Sequence, residues 1–413
     1  MASLSPHLKQ ATPVTVDHAL GSSVYDVEGR RHLDFTAGIG VVSTGHCHPR
    51  VVAAAQQQVG SLIHGQYTTV QHRPLLELTE RLASVLPPHL DSVFFANSGS
   101  EAVEAALRLT RQATRRPNVV VFHGGFHGRT VATASMTTSG TRFSAGFSPL
   151  MPGVHVAPFP TAYRYGWSEE QATEFALQEL DYLFATITAP EEVAAFVVEP
   201  VLGEGGYVPG NTQFFAGLRE RADRHGILLV MDEIQTGFGR TGQYFGHQHF
   251  GVTPDVITFA KGIASGFPLS GIAASEELMS QAWPGSQGGT YGANAVSCAA
   301  AVATIDVIAE EQLVDNAAQR GAQLLAGAKD RAVDGIGDVR GLGLMVGSEF
   351  TASDGSPDTA RAQAAQQEAG RRGLLLLTCG AHMNVVRMIP PLVVTKEEID
   401  EGLSIWSEVL ATV

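Results

Sequence analysis

The sequence predicts an α/β fold: a large domain around a mostly parallel sheet, with a smaller α+β domain beside it. Two observations carry this expectation. Short apolar runs alternate with helical patterns through the middle of the chain, as strands joined by crossover helices do. The residues directly after each run are polar, glycine-rich and different from one another, as expected where strand ends face a ligand crevice.

Taken in order, the buried strands are predicted at 92–96, 119–122, 194–198, 227–231 and 256–259. Helices fall between them. Residues 100–113 are rich in Ala and Leu; 168–184 opens with Ser168 and Gln171 in capping-box spacing and sets Ala172, Phe175, Ala176, Leu180 and Leu183 on one face. A third helix is predicted at 212–225. The last hundred residues change character, with helices at 296–308 and 314–331 and short strands at 345–350, 374–377 and 385–388. Thr395 with Glu398 caps a closing helix whose Ile399, Leu403, Trp406 and Leu410 share a face. The expected division is a large domain over 51–295 and a small domain over 296–413, which residues 1–50 join.

Length and charge bound the function. The 413 residues suit two or three domains of roughly 100–200 residues each. A formal net charge of −14 argues against nucleic acid or an anionic membrane as the main partner, since either needs a basic face. Cys47, Cys298 and Cys379 form no C-x-x-C pair and too small a set for a disulfide framework, which points to the reducing cytoplasm. The first residues lack the apolar stretch of a signal peptide, and no apolar run is long enough to span a bilayer.

The strand ends hold the chemistry. After 92–96 comes Asn97-Ser98-Gly99-Ser100, where Gly99 permits close backbone approach and Ser100 offers an N-cap hydroxyl. The amides of such a helix start suit a phosphate, although an ordinary cap reads the same. After 119–122, Phe126 and His127 among glycines offer a ring for stacking on a planar ligand. Glu199 and Glu204 follow the third strand, and Asp232 ends the fourth, where an acid is costly without a cation. Lys261 ends the fifth; lysine is rarely buried for structure alone, and desolvation lowers its pKa and makes it nucleophilic. One ligand uses an anion cradle, a stacking face, an acid and a lysine together: pyridoxal 5′-phosphate.

The motifs then become recognisable. They run from G-H-C-H-P at 45–49 through N-S-G-S-E-A at 97–102, F-H-G-R-T at 126–130 and E-P-V-L-G-E-G-G at 199–206. They continue with D-E-I-Q-T-G at 232–237, F-A-K-G at 259–262, G-G-T-Y-G at 288–292 and N-V-V-R at 384–387. The chain resembles the class III (ω-amino acid) aminotransferases of fold type I, and within them most closely the 4-aminobutyrate aminotransferases. The resemblance implies a large domain with a mostly parallel seven-stranded sheet and a small domain drawn from both chain ends.

It also implies roles. Lys261 would hold the cofactor covalently and later move the substrate proton, and Asp232 would keep the pyridine nitrogen protonated. Phe126, with His127 beside it, and Ile234 would flank the ring. Gln235 would donate to the phenolic oxygen, Glu199 would position that neighbourhood, and Gly99 and Ser100 would hold the phosphate. Thr290 would reach the phosphate of a neighbouring subunit, which makes a homodimer, or a tetramer built from it, the working unit. Arg387 would clamp the α-carboxylate, with Glu204 pairing with it in the first half-reaction, and Arg129 would take the distal carboxylate. Ile39, where ornithine-type relatives place tyrosine, suits a plain ω-amino acid.

The implied reaction is ping-pong transfer from an ω-amino acid, with 4-aminobutyrate favoured, to 2-oxoglutarate. The alternatives are acetylornithine or ornithine transamination, a pyruvate-using amine transaminase, and an amino-acid racemase. Departures lie near the entrance: Leu202 replaces a common glutamine, and Ala293-Asn294-Ala295 replaces Gly-Asn-Pro. The His46-Cys47-His48 and His247-Gln248-His249 pairs invite a metal, but no further ligands converge on them, so none is expected.

Overall fold

The computed structural model describes residues 3–413. At its centre lies a seven-stranded sheet: β1 (Ser92–Ala96), β2 (Asn118–Phe122), β3 (Val154–Ala157), β4 (Val193–Val198), β5 (Leu228–Asp232), β6 (Val256–Phe259) and β7 (Ser270–Ala274). The spatial order is β1-β7-β6-β5-β4-β2-β3. Strand β7 runs antiparallel to both its neighbours, and the other pairings are parallel. The carboxyl ends of β1, β2, β4, β5 and β6 therefore open on one edge.

These strands read as unbroken apolar runs because both faces are covered. Every residue of β4, β6 and β7 is buried. Alternate side chains go to opposite faces. Val119 and Val121 join Val103 and Leu107 of the helix Gly99–Thr114, whereas Val120 and Phe122 join Leu180 and Phe214 of the helices Glu169–Thr186 and Thr212–His225.

Around this layer, Ile336–Leu342, Met345–Phe350, Val385–Met388 and Leu377–Cys379 form an antiparallel sheet. A further sheet joins the chain ends: Val16–Leu20, Ser23–Asp26 and Arg31–Asp34 lie antiparallel, and Leu374–Leu375 pairs parallel with the last of them. The helix Ala295–Glu310 packs on Pro49–Val59 and Arg73–Ala83. Among the described residues, no helix is long and apolar enough to cross a membrane.

Two expectations are corrected. The strand expected at 374–377 is two strands in two sheets, broken at Leu376, because Leu374–Leu375 follows Arg31–Asp34 while Leu377–Cys379 follows Val385–Met388. The helix after β1 is capped by Ser98, not Ser100: Ser98 Oγ accepts from the Glu101 amide at 3.3 Å, and Glu101 Oε2 accepts from the Ser98 amide at 2.9 Å. Ser100 is thereby the second helical residue, and its hydroxyl is not consumed by the cap.

The segment after Asp34 makes one left-handed turn. Ala37, Gly38, Ile39 and Gly40 have φ of 46°, 62°, 69° and 73°. Ala37 and Ile39 each cost about 1–2 kcal/mol in this conformation. Asp34 over-determines it. Its Oδ1 accepts from the Thr36 amide (2.8 Å), the Thr36 hydroxyl (2.6 Å) and the Ala37 amide (3.2 Å), while Oδ2 lies 2.8 Å from His46 Nε2. Burial alone would raise the Asp34 pKa; the His46 and Thr36 hydrogen bonds outweigh it and hold the carboxyl below its ordinary value.

The same segment is sewn to its surroundings on two sides. The Ile389 amide donates to Phe35 O (2.8 Å) and the Leu392 amide to Ser43 O (2.9 Å). The Thr44 amide and hydroxyl both donate to Ser265 Oγ, at 2.9 and 2.8 Å.

Candidate active site

At the carboxyl edge of the sheet lies a cavity of about 310 Å³, lined by Val41, the 97–100 turn, Phe126, His127, Glu199, Glu204, Asp232, Ile234, Gln235 and Lys261. It gathers residues from five strand ends, as the crossover topology requires.

Asp232 closes β5 and is buried at 2% exposure. Its Oδ2 lies 2.7 Å from His127 Nδ1, and its Oδ1 accepts from Thr258 Oγ1 at 3.1 Å and the Ile234 amide at 3.2 Å. Burial opposes a charge on His127, but the hydrogen bond to Asp232 and its negative field win, so the imidazole pKa is raised. Glu199 accepts from the Phe126 amide at 2.8 Å and the Gly203 amide at 2.9 Å. Burial, reinforced by the Asp232 charge, pushes its pKa up to about 7.

Lys261 starts a short 3-10 turn after β6, with φ at +47° in the left-handed region. Among the described residues no hydrogen bond holds its Nζ. Desolvation is the largest influence on the ammonium and lowers its pKa, with Arg387 adding repulsion and Glu204 attraction. Such a lysine is primed as a nucleophile.

At the distal end, Arg387 Nη1 meets Glu204 Oε1 at 2.5 Å, with Arg387 at 4% exposure. Burial disfavours both charges. Their mutual attraction prevails, lowering the Glu204 pKa and raising that of Arg387.

The residues present fit pyridoxal phosphate. The helix start at Gly99 offers free amides to a phosphate. A Cβ added at Gly128 would collide with the Ser100 hydroxyl, and one at Gly203 would sit 2.8 Å from Gln235 Oε1, so both glycines leave room for the polar groups around the cavity. Gln235 Oε1 is buried without a partner, a cost that a ligand's hydroxyl would offset. Ile234 packs on Gly99, where an added Cβ would stand 3.1 Å from its Cδ1.

Not every expected residue is gathered. Thr290 is exposed and does not line the cavity, and Ile39 is 43% exposed beside the lining residue Val41. Arg129 is exposed, with its Cζ 5.1 Å over the Phe143 ring. Sequence reasoning missed Arg142, whose Nη2 approaches Glu204 Oε2 to 3.9 Å. It stands in a Ser-, Thr- and Gly-rich stretch with no motif to mark it. Among the described residues, His46 and His48 face Asp34 and Glu311, and His247 faces Glu233.

The sheet and the cavity at its carboxyl edge are those of a fold type I pyridoxal-phosphate enzyme. A family model described as "Aminotransferase class-III" matches residues 4–410, and the chain belongs to that family; its cofactor is pyridoxal phosphate and it exchanges an amino group between an amino donor and a keto acid. It is 40% identical to the 5-aminovalerate aminotransferase DavT of Pseudomonas putida over 98% of this chain and 95% of that one. It is also 40% identical to the 4-aminobutyrate aminotransferase GabT of Escherichia coli, over 97% and 94%. A solved amine transaminase from an uncultivated Pseudomonas species, in its PLP-bound form, superposes with a TM-score of 0.92 at 30% identity, covering 100% of this chain and 97% of that one.

Proposed function

We propose that the enzyme transfers the amino group of an ω-amino acid, with 4-aminobutyrate the best fit, to 2-oxoglutarate, giving the semialdehyde and L-glutamate by a ping-pong route. The carrying observation is the Arg387–Glu204 pair at 2.5 Å. A masked arginine lets one pocket accept an amine-bearing carbon without a carboxylate. Unmasked, it grips the α-carboxylate of the keto acid.

Bound pyridoxal phosphate supplies the aldehyde that captures amines and the ring that draws electrons from the substrate carbon. Gly99 and Ser100 hold its phosphate, Phe126 and Ile234 flank its ring, and Gln235 meets its phenolic oxygen. Asp232 holds a proton on the ring nitrogen, and His127 holds Asp232. Lys261 Nζ moves the proton at the amine-bearing carbon of the substrate. Arg129 takes the distal carboxylate, and the apolar Ile39 leaves no partner for an α-amino group.

Thr290 serves a second copy of the chain, which accounts for its exposure and makes the homodimer the working unit. Residues 51–295 and 296–413, the latter with 1–50, form the two domains. Three free thiols suit a reducing cytoplasm.

The test is glutamate formed from 4-aminobutyrate and 2-oxoglutarate, with 5-aminovalerate, N-acetylornithine and pyruvate run in parallel. Absence of turnover with every ω-amino acid rejects the reading. Chiral inversion of an L-amino acid without any keto acid would assign a racemase instead.

A further inference from the structure

The Arg387–Glu204 pair raises a question that its own geometry leaves open. An anionic substrate can reach the Arg387 guanidinium only if Glu204 leaves it. Glu204 is 85% shielded, its side chain showing 15% exposure. A carboxylate so enclosed cannot be released without another cation or a hydrogen-bond donor to receive it, because an uncompensated buried charge is strongly unfavourable.

The structure supplies that cation. Glu204 presents one oxygen to each of two guanidiniums: Oε1 to Arg387 at 2.5 Å and Oε2 to Arg142 at 3.9 Å. Among the described residues, no hydrogen bond engages the Arg142 side chain. It sits over an aromatic ring, with Cζ 4.4 Å from the Phe143 centroid, and Phe143 stands edge-on to Phe126 with centroids 5.0 Å apart. The guanidinium is therefore placed by the ring while its N–H groups stay free of hydrogen bonds among the described residues, which leaves them open to a carboxylate. Gly140 shapes the seat: a Cβ there would come 2.6 Å from Arg142 Nη1.

We propose that Arg142 is a specificity-determining residue that receives Glu204 when a dicarboxylate displaces it from Arg387. The proposal rests on the transaminase reading above and deepens it. Arg142 would lower the cost of unmasking Arg387, so that the keto acid, and not the ω-amino acid, depends on it. A side-chain rotation of Glu204 suffices, since its second oxygen already faces the new partner.

The experiment is equilibrium titration of the holoenzyme with glutarate, a non-reacting dicarboxylate, followed by separate measurement of KM for 4-aminobutyrate and 2-oxoglutarate. Wild type should bind glutarate; failure to bind it, with no ω-amine turnover, overturns the transaminase reading and the relay with it. Given wild-type binding, Arg142→Gln should weaken glutarate about tenfold and raise KM for 2-oxoglutarate in step, while KM for 4-aminobutyrate moves less than about twofold. Arg142→Lys should restore most of the affinity. In a Glu204→Gln background, Arg142→Gln should have no further effect, because no charge is left to receive. An unchanged glutarate affinity in Arg142→Gln, or an equal loss in the Glu204→Gln background, overturns the relay alone.

Discussion

His127 Nδ1 and Asp232 Oδ2 lie 2.7 Å apart, both side chains at or below 2% exposure, and the imidazole pKa is raised by that contact against its burial. The Oδ2 atom of the carboxylate at the end of β5 is thus met by a buried imidazole of the chain itself.

Replacing His127 by Ala should therefore destabilise the protein by about 3 kcal/mol, the usual consequence of leaving one member of a buried pair alone. Denaturant unfolding of wild type and variant measures it. A change below about 1 kcal/mol would show that Asp232 does not depend on the imidazole.

Lys261→Ala should lose the visible absorbance of the covalently held cofactor, and borohydride should no longer fix the coenzyme to the chain. Spectra and intact mass before and after reduction decide this. Unchanged absorbance would place the covalent link elsewhere.

Glu199 gives a pH dependence with a definite sign. Its carboxyl titrates at about 7 in the fold against an ordinary 4.5, so the native state binds the extra proton. The stability this contributes is complete below about pH 4.5 and is lost as pH rises through about 7. Glu199→Gln, which cannot ionise, should shift in Tm relative to wild type in the variant's favour between about pH 5 and pH 8. A Tm difference that stays flat across that range would contradict the assignment.

Ile39→Gly should trade function for stability. Glycine adopts φ of 69° freely and the exposed isoleucine loses little burial, so a gain of about 0.5–1 kcal/mol is expected after the entropy cost of glycine. At the same time, the proposed role of Ile39 beside the lining residue Val41 requires kcat/KM for the ω-amino acid to fall. Thermal melts and steady-state kinetics on one preparation check both signs together.

Much of this was legible in the sequence because strand ends carry their chemistry next to strong local signals. Asp232 and Lys261 each follow a short apolar run, and the closing helix shows Thr395, Glu398 and the buried Ile399, Leu403 and Trp406 as its pattern requires. What stayed hidden depends on tertiary pairing. Strand β7, Ser-Gly-Ile-Ala-Ala, has too few β-branched residues to stand out and exists through its ladders with β1 and β6. The break at Leu376 reflects two partners in two sheets. Ser98 and Ser100 are both plausible caps by type, and Glu101, three residues after Ser98, was the clue that favours the former. Arg142 is a surface arginine by every local measure, and only the fold brings it to Glu204.

The ten residues from Phe35 to Thr44 bind to Ile389, just past the strand that carries Arg387, and to Ser265, just past the turn that carries Lys261. That stitch ties the wall that carries Lys261 to the wall that carries Arg387. A gaping motion between them would have to break either the two backbone bonds from Ile389 and Leu392 or the two bonds to the Ser265 hydroxyl, so side-chain bulk is the first limit on the reach of the pocket. Engineering it for larger amines calls for trimming the lining residue Val41, whereas loosening the surrounding loops would cost rigidity.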